Sequence, residues 1–277
     1  MKSAIVAMLC LAFAIRTSSQ TQEVQKQIQR VPVAITWDYS AQAKTLILHV
    51  LNNSGKDITA YNISVRNKYA DGTQDPPLSS QMGMEMLGRL IAVQMAKGTP
   101  SEEIAERTNG IFAAGTTHDQ TFPETKDITD VEAILDVAMY ADGSFDEQNE
   151  QAFKRMVATR QRELLAMKKA NEIIKNALSD QTNDHPAAVA LTELTKYAAE
   201  SMSREHGMDD MDDPEQGQEA YLQGDIQNLR YMQRPQAFGP QEGKTERERL
   251  TQYVEEQEKR VELMTPHCHL EIATAQK

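Results

Sequence analysis

A chain of 277 residues with 40% hydrophobic and 5% aromatic residues has the length for one sizeable domain or two smaller ones, and a single tryptophan to share between them. Its formal net charge of −12 repels phosphate backbones and anionic headgroups, which excludes nucleic acid and anionic lipid surfaces as expected partners. Two cysteines, Cys10 and Cys268, and a mean hydropathy of −0.57 leave no disulfide scaffold and a core that fills only part of the chain.

Residues 1–19 read as a secretory signal peptide: Lys2 is the charged start, Ala4 to Ile15 the apolar stretch, and Arg16 to Gln20 the polar exit. Twelve apolar residues span roughly 18 Å as a helix against a hydrocarbon core of roughly 30 Å, too short for a permanent anchor. Small residues at Thr17 and Ser19 favour cleavage before Gln20, with Ala12 and Ala14 as a second small-x-small site, and Leu9 before Cys10 argues against a lipid anchor. The expected mature chain is extracytoplasmic, periplasmic or secreted. It carries 27 basic against 41 acidic side chains, a net of −14, with Cys268 its only thiol.

From Val31 to about Tyr140 the apolar residues keep a strand period. Val33, Ile35 and Trp37 alternate with polar neighbours. Leu46, Leu48 and Val50 alternate with Ile47, His49 and Leu51, apolar enough on both faces for a central strand. Residues 52–57, Asn-Asn-Ser-Gly-Lys-Asp, are turn chemistry before a third strand from Ile58 to Val65, which Asp71 and Gly72 end. Ser79 to Lys97 changes period: Met82, Met86, Leu90, Val93 and Ala96 predict an amphipathic helix stopped at Gly98, and a second short helix follows Pro100. Strand signals return at Ile111 and Phe112, at Thr117 to Phe122 and at Val131 to Tyr140.

The run His49 to Gly72, with its Asn-Asn-Ser-Gly turn, Lys-Asp-Ile-Thr-Ala-Tyr-Asn-Ile-Ser-Val strand and closing Tyr-Ala-Asp-Gly, resembles the middle strands of the small exported bacterial β-sandwiches called FxLYD-like domains. The turn at Ala114, Gly115, Thr116 and the strand through Tyr140 fit the same pattern. The chain also resembles exported bacterial proteins in which such a domain precedes a helical tail. The resemblance covers about 110 residues; the family's aromatic-x-Leu-Tyr-Asp signature is absent and the Ser79 to Gly110 insertion is additional. It implies an immunoglobulin-like sandwich with a binding or scaffolding role and carries over no catalytic residue.

Beyond Phe145 the pattern is helical. Phe153, Met156, Val157, Leu164, Met167, Ile174 and Leu178 mark a long helix whose polar gaps at Arg160 and Asn171 weaken a coiled-coil seam. Asp184 is the expected cap of a helix running to about His206, and further helices are expected over Glu215 to Tyr231 and Thr245 to Met264. Such polar helices are expected to pack on the sandwich, on another chain, or to stay partly disordered. The fold class is therefore α+β: an immunoglobulin-like antiparallel β-sandwich over 31–145 with a helical insertion at 79–110, a helical region at 146–206, an acidic linker at 207–218, and a helical tail at 219–277 with a short terminal strand.

His267, Cys268 and His269 form the most suggestive cluster, because imidazole and thiolate ligate zinc or copper. In an extended segment His267 and His269 share a face and Cys268 opposes them; the alternatives are a structural strand from His267 to Ala273, or a lone thiol that bridges two chains. The acidic run Asp209 to Glu215 lacks the spacing of a calcium loop. Tyr-Ala-Asp-Gly occurs at 69–72 and again at 140–143, read as two separate hairpin turns rather than a duplicated site. Met82, Met84, Met86 and Met95 are read as core filling, with Met84 off the helical stripe. His49, His118, His185 and His206 have no ligand-spaced companion, and no nucleophile elbow, zincin helix or phosphate loop occurs. The expected function is that of a non-enzymatic exported binding or scaffolding protein that meets a protein partner or itself through its helices; the alternative is a periplasmic metal-binding protein using His267, Cys268 and His269.

Overall fold

The computed structural model describes residues 32–76, 80–108, 111–201, 215–234 and 243–269. The expected signal peptide, the acidic linker up to Pro214 and the segment beyond His269 lie outside them. The chain is a mixed α+β protein in two compact units, one from the described parts of 1–86 and 111–148, the other from those of 87–110 and 149–277. Among the described residues no helix is long and apolar enough to cross a membrane.

The first unit holds two antiparallel sheets. One has the order β1 (Val33–Ser40), β2 (Thr45–Asn52), β5 (Thr117–Pro123); the other runs β4 (Ser80–Glu85), β3 (Ile58–Tyr69), β6 (Ile128–Tyr140), β7 (Phe145–Glu147). β2 is central, as its two-sided apolar pattern predicts, pairing Leu48 with Trp37 on one side and Gln120 on the other. Leu46, Leu48 and Val50 from the first sheet, and Tyr61, Ile63, Leu135 and Ala138 from the second, bury into one shared core. Phe112 joins them between Tyr61, with ring centroids 5.7 Å apart, and His118, stacked at 4.0 Å.

The helix expected from Ser79 is a strand as far as Glu85, and α1 (Leu87–Ala96) begins only after it. Met82, Met84 and Met86 also fit a period of two, and Met82 and Met84 pair with Ile63 and Tyr61 at the sheet's edge and pack on its core. Pairing with an existing strand outweighs a three-to-four spacing that has no partner yet. The expected insertion is thus divided: β4 is counted in the first unit, while α1 and α2 (Glu102–Thr108) are grouped with the helices.

The second unit continues with α3 (Glu150–Ser179), α4 (Pro186–Ser201), α5 (Glu215–Met232) and α6 (Glu246–Met264). These polar helices build a core of their own, contrary to expectation. Ala166, Ala170 and Ala177 of α3 meet Ala187, Ala190 and Ala198 of α4 around Ile174, Leu194, Leu222, Ile226 and Leu250. Alanine loses almost no side-chain entropy on burial and lets helices approach closely, so little apolar surface suffices. Arg160 and Asn171, expected as gaps in the apolar face of α3, are themselves buried. His185, not Asp184, receives the first helical bonds of α4, from Ala188 and Val189.

The first turn of α6 fastens three other helix ends. Thr245 and Glu248 form a capping box for α6 itself. Glu246 Oε1 accepts the Ala187 amide of α4 at 2.8 Å. Arg247 donates to the carbonyl of Leu178 in the last turn of α3 and to those of Asp180 and Asn183 just after it, at 2.7, 2.7 and 2.9 Å, and Arg249 donates to Met232 O at 2.7 Å on α5. Each charge sits where the helix dipole favours it, the carboxylate at an N terminus and the guanidinium groups at C termini. Between α5 and α6, Asp225 is 2% exposed and accepts from the Tyr253 hydroxyl, which also takes a bond from Asn228 Nδ2 at 3.1 Å.

Candidate functional site

The two Tyr-Ala-Asp-Gly turns are not independent. The match extends on both sides: Lys56-Asp57-Ile58-Thr59 leads into β3 and Lys126-Asp127-Ile128-Thr129 into β6, while Tyr69-Ala-Asp-Gly-Thr-Gln-Asp75 and Tyr140-Ala-Asp-Gly-Ser-Phe-Asp146 close them. β3 and β6 pair antiparallel with Ile58 opposite Tyr140 and Ile128 opposite Tyr69, so the copies are related by a local twofold through the strand pair. A single extra residue at the irregularity beside Asn62 makes the second copy one longer.

The equivalence runs atom by atom. Thr59 and Thr129 lie where the ladder slips, and their Oγ1 atoms donate to Met139 O and Lys68 O, both at 3.2 Å. Gly72 and Gly143 turn the chain at φ of 80° and 82°, a region closed to most side chains. The Asp71 carboxylate accepts from the Thr73 amide at 2.9 Å and Asp142 from the Ser144 amide at 3.0 Å. Each tyrosine hydroxyl then donates to the aspartate six residues on, Tyr69 to Asp75 and Tyr140 to Asp146.

The lysine of each copy closes the turn of the other. Lys56 Nζ lies 2.8 Å from Asp142 and 5.4 Å over the Tyr140 ring; Lys126 Nζ lies 3.1 Å from Asp71 and 5.1 Å over Tyr69. Hydrogen bonds from Thr73, then Lys126, hold Asp71 down to about 2, and Lys56 with Ser144 holds Asp142 well below the usual carboxylate range. Burial and the Asp146 carboxylate push the Tyr140 hydroxyl up. These residues form two crossed latches. Around the second latch lies a depression of about 310 Å³ lined by Asn53, Ser54, Lys56, Ser144, Phe145 and Asp146, with Pro32 and Tyr140 beside them.

His49 is engaged on the other sheet. Its Nδ1 meets Asp119 at 2.7 Å and its Nε2 meets Asp38 at 3.1 Å, so three neighbouring strands each supply one member. The bonds to Asp119 and then Asp38 raise its pKa above the ordinary 6.5. A raised histidine contributes stability that is full below 6.5 and is lost as pH rises through its folded value. Titration of the His49 ring by NMR is therefore expected to give a midpoint above 6.5 that returns toward 6.5 in Asp119→Asn; a wild-type midpoint at or below 6.5 contradicts the bridge.

The alternative of zinc or copper at His267, Cys268 and His269 relies on an extended segment that puts the two histidines on one face. Thr265–His267 is instead a 3-10 turn ending α6, so the alternation that puts the two histidines on one face does not apply, and the part of the expected strand beyond His269 lies outside the described residues. All three residues are buried. Gln161 Nε2 donates to Cys268 O at 2.9 Å and His269 O at 3.3 Å, the Cys268 thiol lies 3.5 Å from Arg160 O, and the His269 ring lies 6.0 Å from Phe153. The segment fastens the chain to α3. Among the described residues, no group of three or more His, Cys, Asp or Glu is arranged to hold a metal. Asp209 to Pro214 lie outside the described residues; Met82, Met84 and Met86 fill the β core.

On the second unit an open groove of about 440 Å³ runs between α3 and α4. Ile173, Ala177, Val189 and Tyr197 give it an apolar floor, Val189 being 42% exposed, and Lys196 and Glu193 stand among its lining.

No protein-family model and no curated protein matches the chain. Among solved structures it is similar to a hypothetical protein of Peptoclostridium difficile 630, at 12% identity over 43% of this chain and 87% of that one, with a TM-score of 0.24, a value that carries no argument about fold.

Proposed function

We propose that the protein is an exported, non-enzymatic scaffolding module: an immunoglobulin-like sandwich carrying a helical unit that self-associates. The observation that carries this reading is the groove between α3 and α4, whose apolar floor is open to solvent and whose lining has charges of both signs. Lys196, Glu193 and Glu200 are among its lining, so a second copy of the same groove, turned by a twofold, brings charges of both signs to the contact. The immunoglobulin-like assignment is supported by the strand order, with β1, β2 and β5 as strands A, B and E and β4, β3, β6 and β7 as C′, C, F and G. Export is supported by the sequence of residues 1–19 alone.

Light scattering on the chain beginning at Gln20 tests the reading. The expected result is a dimer or larger that Val189→Glu converts to single chains without changing the circular dichroism spectrum, because a carboxylate placed in a closed apolar contact has no partner. A single-chain mass for the wild type at every concentration overturns it.

A further inference from the structure

We propose that Glu124, Asn67 and Asp75, gathered beside the first latch, form a calcium-binding site. This does not rest on the scaffolding reading. Asn67 joins the two carboxylates: its side-chain Nδ2 donates to Glu124 Oε1 at 3.2 Å and its backbone N–H to Asp75 Oδ2 at 3.0 Å. Its Oδ1 accepts no hydrogen bond although the residue is only 6% exposed, a costly state for a buried acceptor. Oδ1 shares one amide with the Nδ2 that touches Glu124, so it lies beside that carboxylate.

The duplication shows that neither the Asn67 nor the Glu124 side chain is needed to hold the turn. Counted back from Lys126 and Lys56, Glu124 corresponds to Ser54; counted back from Tyr69 and Tyr140, Asn67 corresponds to Ala138. The second latch closes its tyrosine, its Asp-Gly turn and its aspartate with a serine and an alanine in those places. The first latch carries instead an additional carboxylate and a buried amide oxygen.

The charges around them favour a cation. Lys126 is taken by Asp71, Lys44 by Asp127, and Arg66 donates to the Asp75 carbonyl and faces Glu132. Burial, then the Asp75 charge, raise the Glu124 carboxyl above its ordinary 4.5, with the Asn67 amide opposing. Burial and the bond to Asp75 raise the Tyr69 hydroxyl, which also feels the Glu124 charge, so these oxygens lie close together. A divalent cation offsets their repulsion. Calcium suits the set, because it takes carboxylate and amide oxygens and lets water complete an adaptable shell. Each Asp75 oxygen accepts one hydrogen bond and keeps a second lone pair, while among the described residues Glu124 Oε2 and Asn67 Oδ1 accept none.

The test is an amide NMR titration of the whole chain, first freed of divalent metal by a chelator, with calcium chloride to about 10 mM at constant ionic strength. The expected result is saturable shifts at Asn67, its side-chain amide pair included, at Asp75 and at Glu124, with 138–146 at the second latch unmoved. Glu124→Ser installs the residue that the second latch already uses, so it keeps the turn; it is expected to weaken binding about tenfold or more. Asn67→Ala, which installs the second copy's alanine and removes the unpaired oxygen, is expected to weaken binding as well, with the signals of 138–146 reporting an intact sheet. No saturable shift at Asn67, Asp75 and Glu124 overturns the proposal, as does equal calcium binding by Glu124→Ser.

Discussion

Phe112→Ala is expected to destabilise the β unit by about 3–5 kcal/mol, seen as a fall in the urea midpoint followed by Trp37 fluorescence. The side chain is fully buried between Tyr61 and His118. Its backbone also matters: Ile58 N and Asn52 Nδ2 both donate to Phe112 O, at 2.9 and 3.0 Å, so the segment is held against β3 and the end of β2 and cannot slide inward to fill a cavity. Phe112→Leu, which keeps most of the volume, is expected to cost no more than about 1.5 kcal/mol. Equal losses for the two variants would mean that the cavity is not the cause.

The second large effect is a pH dependence in the helical unit. Burial raises the Asp225 carboxyl to about 6, against the opposing pull of the Tyr253 and Tyr221 hydroxyls and the Arg260 charge. Between the ordinary value of 3.8 and about 6 the folded chain binds the proton and the unfolded chain does not, so stability falls as pH rises through that window. The full swing is about 3 kcal/mol. Asp225→Asn keeps an oxygen for the Tyr253 hydroxyl and removes the titration. It is expected to unfold at a higher temperature than wild type at pH 7.5 and to show no gain between pH 6.5 and 4.5 from this site. A wild-type helical unit whose stability rises over that same climb in pH contradicts the assignment.

How much of this was legible in the residues depends on whether a signal was local. β1 and β2 carry an alternating pattern, Asn-Asn-Ser-Gly separates β2 from β3, and Asp-Gly turns end β3 and β6, so the existence of these strands and the central place of β2 follow from the sequence. α6 is legible from Thr245 and Glu248 for the same reason. β4 was not, because Met82, Met84 and Met86 satisfy both periods and only the partner strand decides between them; Met84, off the helical stripe, was the clue. The helical core is hard to read from sequence because six of its thirteen buried residues are alanines, which add little to any hydropathy reading yet line the contact between α3 and α4.

Of the candidate site, half was visible. The repeated Tyr-Ala-Asp-Gly is plain in the sequence, but the preceding Lys-Asp-Ile-Thr is separated from it by nine residues in the first copy and ten in the second, with unlike strand residues between. Comparing the two copies across that gap, and extending the match to Asp75 and Asp146, reveals the duplication from sequence alone. That each lysine closes the other copy's turn does not follow from either copy separately, since it requires the antiparallel pairing of β3 with β6. His49 gave no signal because Asp38 and Asp119 reach it only across strands.

The charged turn at the start of α6 also sets an order of events. Glu246, Arg247 and Arg249 finish the ends of α4, α3 and α5, all of which precede them in the chain. A polypeptide that emerges from a ribosome N terminus first therefore carries three incomplete helix ends until residues 245–264 appear. Until then the amide of Ala187 and the carbonyls of Leu178 and Met232 wait for their partners, and the arrival of the last helix completes all three ends at once.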